Sequence, residues 1–330
     1  MSPEPRRRRP DVPSNEPKDA AGILSTWYGA GAIYVDKVAI FTGQGGLKKG
    51  TGEAEVTSLL ADKQHDPAYV DYLTSSKPDS VIGRLLVSSA HMVGHFREDS
   101  DFFPILPGHK QIRAAVQTLE AWMRQRIGDH AFAQLRSFEG IQFVSMVPPG
   151  SELEIEVAGI RVGEALKGDR MVSADVKIVN IANEGKPAAI INGLVIETRK
   201  EVPYSHNSSL TADQMMEGVA QTAGLVSGVM SAESTTRVPL FVNIGPTRFL
   251  QEVASGLPVV YEVEVESVEA ESKEPSEFNA SAKITFGGGT RIGTSEGVRA
   301  MVLPKTSVDK LYEKAVDAVS AYREQALGDS

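Results

Sequence analysis

At 330 residues the chain is long enough for two average domains, or for one duplicated domain of roughly 100 to 150 residues per copy. Its hydrophobic content of 41%, charged content of 23% and net charge of −9 describe a globular protein that can bury a real core, and no run approaches the roughly 18 apolar residues of a membrane span. There is no cysteine, so disulfides, thiolate metal sites and cysteine nucleophiles are all excluded.

Residues 1–23 read as a disordered tail of a cytoplasmic protein. Their Arg6-Arg7-Arg8-Arg9 run is not followed by the apolar segment a secretory signal needs. The chain is acidic and no aromatic platform accompanies these arginines, so they read as solvated rather than as a nucleic-acid or membrane contact. Candidate strands at 33–42 and 52–60, joined across Gly43-Gln44-Gly45-Gly46, form an N-terminal extension of the first structural unit. Residues 112–127 then place apolar side chains at three- and four-residue steps with Ala114 and Ala115 between them, which predicts a helix with a small face. Alternating or β-branched runs at 141–147, 152–162, 172–182 and 188–198 predict strands.

The pattern then repeats. A second helix is predicted over 215–230, with Gly218, Ala220, Ala223 and Gly224 on its small face, and strands over 240–249, 259–268, 279–286 and 297–303. Phe143, Val147, Gly150, Leu153, Ile155, Glu156 and Val157 find Phe249, Val253, Gly256, Val259, Tyr261, Glu262 and Val263 at one constant offset, and Ala174, Lys177 and Ile178 find Ala280, Lys283 and Ile284 at the same one. Arg113 and Gln117 match Glu217 and Gln221 at an offset two residues shorter. A helix followed by antiparallel strands, twice over, is an α+β architecture in which a sheet wraps a helix. The domain reading is a tail at 1–23, a first unit at 24–200, a second at 201–305 and a C-terminal helix at 306–330. That helix carries a stripe of Leu311, Ala315, Ala318 and Tyr322 and is expected to pack on the outside. Gly287-Gly288-Gly289 lacks the lysine and hydroxyl residue of a phosphate loop and reads as a hairpin turn.

Gly94-His95-Phe96, the segment Pro104-Ile105-Leu106-Pro107-Gly108 and the run Glu217-Gly218-Val219-Ala220-Gln221 together resemble the 3-hydroxyacyl-acyl-carrier-protein dehydratases. In that family a Gly-His-Phe precedes a Pro-Gly that opens the central helix, and the helix carries an acid followed four positions later by Gln. The resemblance implies a double hot dog with a composite site, His95 from the first copy and Glu217 from the second. The mirror site is lost, because Arg113 replaces the acid in copy one and copy two has no Gly-His-Phe. The connection from His95 to Pro104 is longer than the family's and lacks its glycine.

The reaction so implied is conversion of a 3-hydroxyacyl thioester into the 2-enoyl thioester, without cofactor or metal. It needs a base for the α-proton, a donor to the thioester oxygen and an acid for the departing hydroxyl. Histidine is a competent base near neutral pH, and a carboxyl kept protonated by an apolar site can be the acid, a requirement that Glu217 amid Met215, Met216 and Val219 fits. Gln221, one helical turn on, would hold that carboxyl, and the backbone N–H of Gly108 would bind the oxyanion with help from the helix dipole. His91 competes with His95 but lacks its flanking Gly and Phe, and His65, His109 and His206 read as loop residues with no metal-ligand spacing. The implied partner is an acyl carrier protein, met by a basic patch of Arg97, Lys110 and Arg113, in fatty-acid, polyketide or other lipid synthesis. The fused pair would be a monomer or a homodimer, with no nucleic-acid or membrane partner. The alternatives are a hot dog acyl thioesterase and a catalytically inactive acyl-binding or scaffold subunit.

Overall fold

The computed structural model describes residues 18–19, 37–42, 47–55, 72–77, 79–92, 104–127, 132–164, 170–199, 209–230, 236–254, 257–269, 275–286 and 288–328. Strand β1 (Lys18–Asp19) lies against β2 (Lys37–Thr42), which pairs with β3 (Leu47–Glu55), and β4 (Tyr72–Lys77) pairs with β5 (Ser80–Leu86). Helix α1 (Gly108–Ile127) leads into β6 (Phe132–Phe138), β7 (Gly140–Phe143), β8 (Glu152–Glu164), β9 (Arg170–Asn180) and β10 (Pro187–Arg199). A short β11 (Ser209–Leu210) enters helix α2 (Ala212–Ser227). The chain continues through β12 (Arg237–Ile244), β13 (Thr247–Phe249), β14 (Val253–Ala254), β15 (Pro258–Glu269), β16 (Pro275–Phe286), β17 (Thr290–Pro304) and helix α3 (Lys305–Gly328).

Among the described residues, all strands but β11 and β14, which pair with each other, join in one antiparallel sheet of order β1-β2-β3-β15-β16-β17-β12-β7-β10-β9-β8-β5-β4, with β6 and β13 bridging its middle. Each half wraps one helix, and the chain is an α+β double hot dog. The halves meet along a seam with approximate two-fold logic. Strand β7 pairs with β12 through Ile141 and Ile244, and β6 pairs with β13 through Phe138 and Thr247. The approach to each helix is tied in the same way, by a Leu106 N–H to Val147 carbonyl bond of 2.8 Å in one half and by the Leu210–Val253 pairing in the other. The repeat read from spacing alone is therefore a repeat in space.

The sequence attaches the N-terminal strands to the first copy, and the register corrects this. All of β3, from Leu47 to Glu55, pairs with β15 of the second half. The first half covers the equivalent edge with β4–β5, through pairs such as Val81 with Val157. An open sheet edge leaves N–H and C=O groups unpaired, so each copy needs a hairpin there, and the chain crosses to the other half to supply one. In each covering strand a glycine lets the helix press close. A Cβ at Gly50 would overlap Val226 of α2, and one at Gly83 would stand 2.5 Å from Thr118 Oγ1 of α1.

Other expectations shift at their edges. Both helices start earlier than predicted, the hairpin β4–β5 and strand β6 add to the predicted elements, and the predicted 240–249 strand divides into β12 and β13. The glycine turn falls between β16 and β17, with Gly288 and Gly289 at φ 84° and 104°, a conformation that favours glycine. The tail is corrected at one point, because Lys18 and Asp19 pair with Val38 and Lys37 along the edge of β2; the arginine run lies outside the described residues. No helix among the described residues is long and apolar enough to cross a membrane.

Helix α3 is not simply an outer layer. Its buried residues are Val308 and Val319, while Leu311 of the expected stripe is 47% exposed. The helix leaves β17 in the second half and ends against the first, where Tyr322 faces Glu152 and the Arg323 guanidinium lies over Gly150. Packing density sets a first test. Valine at position 83 gains at most about 1 kcal/mol in strand propensity, whereas overpacking costs about 1–3 kcal/mol, and the Thr118 hydroxyl is already fixed by its bond to the Ala114 carbonyl. The expected outcome for Gly83→Val is a net loss of stability, read as a lower urea midpoint at unchanged m-value.

Candidate active site

Helix α2 is buried at all sixteen positions, polar ones included. Its start is fixed by Thr211 and Gln214, whose side chains cap each other's backbone, with the Thr211 N–H donating to Gln214 Oε1 at 3.0 Å. One turn further on, Glu217 is 9% exposed and faces α1 of the other half. Gln221 Nε2 donates to Glu217 Oε1 at 3.3 Å, the holding contact expected from their spacing. The other carboxyl oxygen, Oε2, lies 3.1 Å from His109 Nδ1.

That histidine is the residue sequence reasoning missed. Expected in a loop, His109 is the second residue of α1 and is 6% exposed. The helix begins at Gly108, where a Cβ would stand 2.7 Å from Phe143 Cζ, so glycine is what lets the Phe143 ring close over the helix start. The Lys110 and Gln111 N–H groups donate to the Pro107 carbonyl at 3.1 Å, whereas an N–H at the very first helical position, as at Gly108, has no acceptor one turn back, which is what its expected oxyanion role requires. A signal for His109 existed in the sequence, since it directly follows the Pro-Gly that opens the helix.

Gly108, His109, Glu217 and Met216 line one cavity of about 580 Å³, within the usual range for small-molecule sites. Its walls are largely apolar, with Ile112, Phe143, Met146, Leu240 and Ile244 among them, and α3 adds Val308, Leu311, Lys314 and Ala315. His95, Arg97, His65 and His206 lie outside the described residues, so the structure brings Glu217, Gln221 and Gly108 together without describing His95. His91 is buried, and its Nδ1 accepts the Ser88 backbone N–H at 2.9 Å. That bond fixes it as a cap of the short turn before the site.

The mirror position has exchanged its chemistry. By the repeat, His109 corresponds to Asp213, Glu217 to Arg113, and the cavity residue Met146 to Glu252. Burial pushes the Glu252 carboxyl up; a bond from the Ser209 hydroxyl at 3.1 Å and the charges of Arg113 and Arg136 pull it back, while Asp213 adds to the rise. Burial likewise raises Glu120, opposed by Arg124 and Arg113. Arg113 thus places its charge near the half-buried Glu120 and Glu252 and does not line the cavity, which departs from the expectation that it belongs to a basic patch at the mouth.

No protein-family model and no curated protein matches the chain. Among solved structures it is similar to the 12:0-ACP thioesterase from Umbellularia californica, at 7% identity over 68% of this chain and 94% of that one, with a TM-score of 0.44. It is similar also to the dehydratase domain from the CurJ module of curacin polyketide synthase, at 9% identity over 71% and 97% of the two chains, TM-score 0.44. A third is the dehydratase domain of PpsC from Mycobacterium tuberculosis, at 11% identity over 73% and 99%, TM-score 0.42. At such identities and scores no reaction passes from these proteins to this chain.

Glu252 provides a test of the mirror half-site. A carboxyl whose folded pKa is raised binds its proton more tightly when folded, so its contribution is full below the unfolded value and is lost as pH rises through the folded one. Glu252→Gln, which mimics the protonated form, is expected to raise the melting temperature at neutral pH. The gain should shrink as the pH is lowered through the raised value toward the ordinary carboxylate range, as followed by thermal unfolding across pH.

Proposed function

We propose that the chain dehydrates 3-hydroxyacyl thioesters at the Glu217 site, with one working site per chain. The observation that carries this reading is the Glu217 carboxyl, buried on an apolar cavity wall that also contains the start of α1. A carboxyl in that setting can give a proton to a leaving hydroxyl, and the Gly108 N–H at the start of α1 can receive the enolate-like charge of the thioester oxygen. Gln221 holds the acid. His95 is the base that takes the α-proton, a role that rests on the family resemblance of Gly94-His95-Phe96.

An apolar cavity of this size suits an acyl chain, and the thioester arm would enter past Lys186 and Lys314, the two lysines of its lining. Cationic side chains there suit an acidic acyl carrier protein as donor, in fatty-acid or polyketide-type synthesis. A second reading is acyl-thioester hydrolysis, which the pairing of His109 with Glu217 favours, because a carboxylate beside an imidazole can activate water.

The two reactions separate in one assay. Incubation with a 3-hydroxyacyl pantetheine thioester should produce enoyl absorbance without free thiol; thiol release without enoyl product would establish hydrolysis instead. Glu217→Gln and His95→Ala should each lower kcat by about 10²–10⁴-fold, the usual contribution of a general acid or base. Unchanged turnover in both variants would remove the mechanism. Charge reversal at Lys186 and Lys314 should raise KM for carrier-bound substrate and leave the pantetheine thioester unaffected, and equal effects on both would exclude carrier docking at that rim.

A further inference from the structure

We propose that His109 is a positioning residue for Glu217, donating from Nδ1–H to the carboxyl across the interface between the two copies and stabilising the charge that Glu217 acquires as it acts. The inference rests on the reading of Glu217 as the acid. Its ground is geometric: both side chains are buried, they come from the facing helices of different halves, they line one cavity, and Nδ1 stands 3.1 Å from Oε2.

The chemistry gives the contact a direction. In the dehydration step the α-proton leaves for the base, the C3–O bond breaks, and the carboxyl proton of Glu217 joins the departing hydroxyl to form water. A carboxylate remains where there was a neutral acid. Burying that charge is unfavourable unless hydrogen bonds offset it, and a bond to a charged acceptor is roughly twice as strong as one between neutral groups. The His109 donor therefore contributes more in the transition state, where charge is building on Oε2, than in the ground state. That difference is what lowers a barrier.

Other titratable groups on the surrounding elements are placed differently. Asp213 is one turn earlier on α2 and acts on Glu252, as does Arg113 of α1. Lys48 of β3 donates to the Ser227 carbonyl at the far end of α2, and Arg136 of β6 is paired with Glu197. Tyr261 of β15 lies against Gly218, Lys110 follows His109 on α1, and the β15 carboxylates Glu262 and Glu264 are exposed. His109 reaches Glu217 from the opposite half.

The test compares His109→Leu, which removes the donor, with His109→Asn, whose amide N–H can replace it. His109→Leu should lower kcat about 10–100-fold with KM within about threefold, the loss expected for one hydrogen bond to a charged group. Without the donor the carboxylate is less stable, so Glu217 holds its proton more tightly, and the alkaline limb of the pH profile should move upward. His109→Asn should restore most of kcat and return the limb. Equal impairment of both variants with no shift of the limb would reduce His109 to a packing role and overturn the inference, as would wild-type behaviour of His109→Leu.

Two substrate-free measurements keep the inference separate from the reaction assigned. The Glu217 carboxyl band in infrared spectra, identified by its loss in Glu217→Gln, should titrate at higher pH in His109→Leu than in the wild type. In the ¹⁵N-histidine-labelled wild-type protein His109 should carry its proton on Nδ1, and an Nδ1 without a proton would overturn the inference even if the leucine variant fails to fold. If the chain proves not to dehydrate its substrate while these two results hold, the reaction is wrong and the His109–Glu217 coupling stands.

Discussion

Helix α2 has no exposed face, and that confinement organises the molecule. A helix sealed on all sides must find a partner for every polar group it carries. Gln214 is used at its own cap, Thr222 bonds back to the Gly218 carbonyl at 2.8 Å, and Gln221 is turned to Glu217. Glu217 accepts from Gln221 on its own helix and also meets His109 of α1. A contact to a buried carboxyl therefore also joins the two halves, at a cavity that residues of both line.

Duplication explains why such a contact exists once. Two identical hot dogs would present the same residues twice, but here the equivalents of His109 and Glu217 are Asp213 and Arg113. The mirror position has become a place where charges answer one another, with Glu252 held between the Ser209 hydroxyl and the field of Arg113. An arginine cannot act as an acid near neutral pH, and neither Arg113 nor Glu252 lines the cavity. The copies differ in charge where the two helices face each other, while the seam pairs β7 with β12 and β6 with β13.

The cavity owes its third side to α3. This helix departs from the last strand of the second copy and reaches the first, placing Val308, Leu311 and Ala315 against the space that Glu217 faces. A hot dog pair without it would leave that side of the cavity without these residues. Cavity shape is thus set jointly by the two copies and by a segment outside the repeat.

Much of this was legible in the residues. Alternation at 152–162 and 259–268 gave strands because one face of each is buried, the small faces of both helices followed from their glycines and alanines, and the offset between Phe143 and Phe249 gave the duplication. Glu217 and Gln221 stood out because an acid in an apolar helix needs a purpose and a residue four positions on shares its face. What local pattern could not carry was partnership at a distance. The attachment of β3 to β15 is decided by which sheet edge is open, and the placing of Arg113 near Glu120 and Glu252 by which helix face meets the other half. His109 has no periodic signal, because one residue at a helix start reads the same whether it faces solvent or a carboxyl from another copy. Sequence by itself determined the elements, the repeat and Glu217 as a candidate; only the tertiary structure, by bringing α1 and α2 face to face, decided that this carboxyl has a histidine beside it.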